Sequence, residues 1–175
     1  ALGTFATGVT IVTARRADGQ MVGLTANSFN SVSLSPPLVL WSLAHTAGSM
    51  PAVSASAAYV INVLAGDQGD LAQRFARSGR DRFHAVSFAL SERGLPVLAG
   101  TVAWFECRHR SRYDEGDHAI FVGQVERCHS HPHRSLGFHR GRFIAMGTLG
   151  LAGITYASRD GLTWTQQPTT TDLSA

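Results

Sequence analysis

The chain has no lysine: all fifteen of its basic residues are arginine. Arginine presents a planar, permanently charged fork that suits phosphate groups. Against twelve acidic residues, however, the formal surplus is only +3. So small and dispersed an excess, without interleaved aromatics, argues against a nucleic-acid surface. Charged residues are scarce at 15%, while hydrophobic residues reach 44%, a balance that excludes general disorder. Cysteine is nearly absent. Cys107 and Cys128 stand apart with no CxxC spacing, which excludes a disulfide framework and fits reduced thiols in the cytoplasm. The longest apolar run, around Pro37 to Trp41, falls far short of the ~20 residues of a helical membrane span. The opening residues Ala1–Phe5 carry neither a basic start nor an apolar core of an export signal. Neither membrane nor nucleic acid is expected as a partner.

Several catalytic signatures are missing as well. No GxGxxG follows a strand, and GxxxxGK[ST], HExxH and GxSxG do not occur. A Rossmann dinucleotide site, a P-loop, a zincin and a lipase-type nucleophile elbow all lose support.

What is present reads mainly as β-structure. Gly8–Ala14 is rich in β-branched residues, Arg15–Gln20 supplies a turn, and Met21–Ala26 completes a hairpin. Leu38–Leu43 and Tyr59–Leu64 read as buried strands, each too short for an ordinary helix. Asp67–Arg77 reads as a helix with Leu71, Ala72 and Phe75 on one face, and Pro51–Ala57 as a second, shorter one. Strands return at Thr101–Arg112 and His118–Cys128 across the turn Asp114–Asp117. In the first, Ala103, Phe105 and Cys107 share one face and Trp104, Glu106 and Arg108 the other. Arg142–Met146 reads as a last core strand. Residues 1–155 are expected to form one domain, with 156–175 a polar C-terminal tail. Six or more strands, short helices and no βαβ rhythm point to a closed or nearly closed antiparallel barrel.

The most informative stretch is Gly23–Pro37, which carries one threonine, two asparagines and four serines between two strands. Short hydroxyl and amide groups suit a phosphate or the edge of a heteroaromatic ring. The same composition also fits an ordinary serine–asparagine turn.

At this stretch the sequence resembles the short-chain flavin reductases, the reductase components of two-component flavin-dependent monooxygenases. The likeness begins at Phe5–Thr10, runs through Gly23–Pro37 and Gly94–Leu98, and continues in Gly116–Gly123 and Phe138–Phe143. It covers about residues 2 to 147 in order. It implies a mainly β fold, an antiparallel split β-barrel of the Greek-key, FMN-binding type with a few short helices. It further implies a homodimer that binds FMN or FAD, reduces it with NADH or NADPH, and hands reduced flavin to a partner monooxygenase.

Carried over by position, the resemblance implies that Thr25, Ala26, Asn27, Ser28, Ser31 and Val32 line the flavin ring and ribityl chain. Ser42, Thr46, Gly48 and Ser49 are expected at the flavin phosphate, although Ser49 also suits the N-cap of the short helix. Phe75 and the arginines Arg74, Arg77, Arg80 and Arg82 are expected near the phosphate or adenine end, where a solvated helix face is the competing reading for any one arginine. His118 is implied as the catalytic residue at the flavin face where nicotinamide stacks, in a role of positioning and electrostatics. Its alternative is a strand-end histidine satisfied by a carbonyl. Phe138, His139, Arg140, Gly141 and Arg142 correspond to the nicotinamide-dinucleotide contact.

His129, His131 and His133 alternate as in a metal site, but Pro132 interrupts them and no acid or cysteine completes a set. No metal is expected. Two other readings remain open on the residues alone: a split-barrel protein that keeps FMN as a prosthetic group, and a non-enzymatic flavin- or haem-binding module.

Overall fold

The computed structural model of the protein describes residues 1–77, 79, 82–146, 155–157 and 165–167. A 3-10 turn at Leu2–Thr4 leads into β1 (Thr7–Gly8) and β2 (Thr10–Arg15), followed by β3 (Met21–Ala26), β4 (Asn30–Leu34) and β5 (Pro37–Ala44). Helix α1 (Met50–Ala55) precedes β6 (Ala58–Val63), and α2 (Gly69–Ala76) precedes β7 (Phe88–Leu90) and β8 (Pro96–Leu98). The long pair β9 (Ala103–Glu115) and β10 (His118–Ser130) follows, then β11 (Ser135–His139), β12 (Arg142–Met146), β13 (Thr155–Ala157) and β14 (Thr165–Gln167).

Seven strands form one antiparallel sheet in the order β3-β2-β6-β9-β10-β5-β4. The β5–α1–β6 connection steps over the places taken by β9 and β10, as expected of a Greek-key arrangement. The fold is mainly β, but the sheet is not a continuous hydrogen-bonded ring, because β3 and β4 are its edges. A smaller sheet, β1-β11-β12, lies beside it, and β7 with β8 and β13 with β14 form two-stranded ribbons.

Strand periodicity explains why the barrel forms. Along β5, Val39, Trp41 and Leu43 are buried, whereas Leu38, Leu40 and Ser42 between them face outward and are half-buried. Trp41 stacks on Phe121 of β10 at 4.9 Å and meets Tyr59 of β6 edge-on at 5.6 Å. With Val12, Leu24, Ile61 and Cys107 they fill the interior, and Met50 and Val53 of α1 plug it. Pro51 sits in the first turn of α1, where its fixed φ favours helix entry.

β2 is buried on both faces. Its Ile11, with Val9 just before the strand, packs with Ala72 and Phe75 of α2, Leu98 and Leu136 in a second core. That explains why β2 reads as a continuous apolar and β-branched run. The helical face expected over Asp67–Arg77 is therefore real, with Ala72 and Phe75 pointing inward.

Two expectations need correction. Arg142–Met146 is a strand but not a core strand. As β12 it edges the small sheet, and only Phe143 is half-buried, 5.5 Å from Phe138. Its apolar sequence resembles a core strand because periodicity cannot tell an edge from a centre. Within Gly23–Pro37, Asn30–Leu34 is the strand β4, paired to β5 with an irregularity between Ser31 and Ser33. Ser31 to Ser35 alternate serine with Val32 and Leu34 as a strand can, but both faces of this edge are largely exposed, so its composition resembles a serine-rich turn. Of the expected C-terminal tail, only the pairing of β13 with β14 lies within the described residues, and β13 itself spans the 155/156 boundary.

Candidate functional site

β3, β5 and the β9–β10 hairpin end together at one side of the barrel. Their register sets His118 of β10 opposite both Ala44 of β5 and Glu115 of β9, and Ile120 opposite Ser42. These ends enclose a cleft of about 470 Å³. Its walls are Leu24–Ser28, Ser42–Ala44, Glu115, His118 and Ile120. Thr25, Ala26, Asn27, Ser28, Ser42 and His118, predicted from distant segments, are thus brought together.

The cleft's polar groups divide by what already engages them. Thr25 Oγ1 donates to the Ala72 carbonyl of α2 at 2.6 Å. The Ser28 hydroxyl accepts the Ser42 N–H at 2.9 Å and donates to the Ser42 carbonyl at 3.2 Å. The exposed Asn27 amide has no such internal partner among the described residues. His118 Nδ1 lies 2.7 Å from Asp117 Oδ1. The hydrogen bond and charge of His118 hold the Asp117 carboxyl below the usual carboxylate range. An ionised carboxylate only accepts, so Nδ1 carries the proton and Nε2 is left for the cleft. Glu115 is a cleft residue that sequence reasoning missed; its only signal was the acidic character of the turn.

A second pocket of about 410 Å³ adjoins the first along β3. Met21–Gly23 line this one and Leu24–Ala26 the other. Arg16, Gln20, Gly48, Ser49, Gly79, Arg82 and Phe83 complete it. Gly48, Ser49 and Arg82 thus line one pocket. Arg82 Nη1 donates to the Gly23 carbonyl, while its buried Nε has no partner among the described residues. Ser49 does not cap α1: its backbone is helical (φ −86°, ψ −12°) and its side chain makes no cap bond. An N-cap needs an extended backbone to turn its hydroxyl toward the first turn. Phe75 is fully buried beneath Gly23, where an added Cβ would sit 2.5 Å from its ring. It forms the floor under the pocket rather than its surface.

The flavin reductase-like domain model matches residues 2–147. An FMN reductase (NADH), SmoA, of Agrobacterium fabrum is 47% identical over 143 residues, covering 82% of this chain and 81% of that protein. The chain belongs to the flavin reductase-like family. The crystal structure of a nitrilotriacetate monooxygenase component B homolog from Mycobacterium thermoresistibile superposes with a TM-score of 0.82. The two are 32% identical over 93% of this chain and 90% of that one. An NADH:FAD oxidoreductase of Streptomyces globisporus, in complex with NAD and FAD fragments, gives 0.80 at 38% identity, covering 85% and 90%. The chain spans 49%, 63% and 46% of the length of three other curated relatives. At the level of the family, the expected fold, activity and cofactors, flavin and NADH, are borne out.

The residues present fit a flavin. A ring-sized cleft with a free amide and a histidine opens beside a pocket with two arginines. Gly23 leaves no room for a side chain, because an added Cβ would run into the rings of Phe75 and Phe83. Other expected flavin reductase residues lie elsewhere. Ser31 and Val32 are exposed on β4, and Thr46 is exposed in the loop after β5, outside both clefts. Phe138, His139, Arg140, Gly141 and Arg142 form the β11–β12 hairpin, likewise outside them. Arg140 (φ 47°) and Gly141 (φ 78°) make its two-residue turn, a left-handed pair that matches strand twist. The hairpin docks on the N-terminal segment through Arg140 N–H to Gly3 O at 2.8 Å. Arg74 donates to the His84 carbonyl, Arg77 is exposed, and Arg80 lies outside the described residues. The rings of His129, His131 and His133 are 4.6 and 6.0 Å apart in sequence order, on exposed chain. Among the described residues, no group of three or more potential metal ligands converges.

Proposed function

We propose that this chain is an NAD(P)H-dependent flavin reductase of the EC 1.5.1 type that supplies reduced flavin to a separate monooxygenase. The reading is carried by the abutment along β3 of the Asn27–His118 cleft and the arginine-lined pocket. The first has the dimensions and sparse polar lining of a ring site; the second offers the charge a phosphate requires. With both cofactors bound, nicotinamide supplies hydride to the flavin. The protein then has to hold the rings in contact at about 3–3.5 Å and keep their orientation. Thr25, Ala26, Asn27 and Ser42 would line the flavin ring and its chain, with Ser28 tied to Ser42 behind them, and Gly48, Ser49 and Arg82 would meet its phosphate. His118, oriented by Asp117, would present Nε2 beside the nicotinamide. A role for the Phe138–Arg142 hairpin in dinucleotide binding rests on the family resemblance alone.

Two further elements belong to the proposal. The outer face of β5 and β10 carries half-buried Leu38, Leu40, Ile120 and Val122, with Tyr113 exposed opposite Ile120. Such a contiguous apolar face supports a homodimer, checked by light scattering of the purified chain. The free thiols Cys107 and Cys128 support a reducing, cytoplasmic setting.

The deciding experiment is steady-state oxidation of NADH and of NADPH with FMN, FAD and riboflavin in turn. Multiple turnovers of added flavin support the proposal. Flavin retained through dialysis, with slow turnover of free flavin, would favour a prosthetic-group enzyme instead. No oxidation with any flavin would leave only a binding module.

A further inference from the structure

Among the described residues, one side chain supplies the side-chain hydrogen bonds that bridge the open side of the barrel at the cleft. β4 pairs with β5 from Leu34 opposite Pro37 to Asn30 opposite Leu40, and there the ladder stops. Continued two residues further in the same antiparallel register, Ser28 stands opposite Ser42. In a regular sheet, two backbones would exchange hydrogen bonds at such a position. Here the Ser28 hydroxyl does both jobs, accepting the Ser42 N–H at 2.9 Å and donating to the Ser42 carbonyl at 3.2 Å. The main chain of Asn27–Phe29 lies outside the strands, and Asn27 and Ser28 of this segment line the ring cleft.

We propose that Ser28 is a positioning residue for the flavin: its hydroxyl terminates the β4 ladder, ties the end of β3 to β5 and so sets the width of the cleft. The proposal rests on the flavin-reductase reading and deepens it, because Ser28 was expected to contact the flavin directly. A hydroxyl donates and accepts from one atom, whereas alanine would leave both Ser42 backbone groups unpartnered. Among the described residues, no backbone ladder between β3 and β5 replaces the tie.

The test uses the full chain without ligand and then with FMN. In S28A the Ser42 amide should exchange with solvent about tenfold faster than in wild type, and the Kd and KM for FMN should rise about tenfold with kcat largely kept. The absorption band of bound FMN should shift, reporting an altered ring environment. S28T, which restores the hydroxyl, should return exchange and affinity to within about threefold of wild type. Should S28A prove too unstable to assay, S28C carries the same comparison through a weaker donor and acceptor. Unchanged Ser42 exchange in ligand-free S28A, with FMN binding nonetheless lost, would mean direct contact and overturn the proposal. Faster exchange with unchanged FMN affinity and spectrum would overturn it as well. A wild-type chain that binds no flavin would overturn the flavin reading itself, an outcome distinct from both.

Discussion

Asp117 and His118 are adjacent in sequence, yet their side chains close on each other: Asp117 Oδ1 lies 2.7 Å from His118 Nδ1 at the mouth of the ring cleft. The contact assigns the imidazole proton and turns a strand-end histidine into an oriented one. Substituting His118 by Ala should lower NADH-dependent flavin reduction by about tenfold or more while FMN binding is largely retained. Steady-state kinetics with a parallel fluorescence titration checks this. An unchanged rate would remove His118 from the reaction.

The pair also has a pH signature. His118 lowers the folded-state titration of Asp117 below its ordinary value of 3.8. A depressed carboxyl keeps its favourable contact above the unfolded value and loses it as pH falls through the folded one. The tie should therefore be intact throughout neutral pH and fail only in acid. An NMR titration should place Asp117 below 3.8 in wild type and nearer that value in His118→Ala.

Asn27 is the cleft amide free of internal bonds, so its loss should act on ligand and not on fold. Asn27→Ala should weaken FMN binding by about fivefold, corresponding to about 1 kcal/mol, with little change in melting temperature. Equal FMN affinity in variant and wild type would show that the cleft holds flavin without it.

Arg82 addresses the phosphate end. Arg82→Gln should reduce the preference for FMN over riboflavin by about tenfold, because riboflavin lacks the phosphate that a guanidinium would pair. Competition titrations with the two flavins measure the ratio. A parallel loss of affinity for both would place Arg82 in support of Gly23 alone.

Glu106 tests the scaffold. It is only 1% exposed, and its carboxylate lies 3.7 Å from Arg93 and 3.9 Å from Arg127, both of which are half-exposed. Arg93 also pairs with Glu126, and Arg127 with Glu92. Removing both arginines strands a buried charge; removing the carboxylate leaves each half-exposed arginine with its other partner, Glu126 or Glu92. Arg93→Ala combined with Arg127→Ala should thus cost about 3 kcal/mol, and Glu106→Met distinctly less. Urea unfolding of the two variants checks the order.

Local chemistry was enough to read much of this protein. Alternation along β5 and β9, the turn glycines and the inward face of α2 are local properties, and the structure follows them. The ordered motifs around Gly23–Pro37 and Gly116–Gly123 carried the family resemblance, and the structure brings Leu24–Ser28 of the first and His118 and Ile120 of the second to one cleft. Three matters required the tertiary structure. Periodicity cannot say whether Arg142–Met146 is central or at an edge, since that depends on which strand lies beyond it. Composition cannot say whether a serine hydroxyl is free, and Thr25 and Ser28 bond to backbone 47 and 14 residues away. Nor could spacing reveal Glu115 and Arg16 as lining residues, because strand register and the β2–β3 turn bring them to the clefts. Residue types determined the kind of site. The pairing of strands decided which of those residues face it.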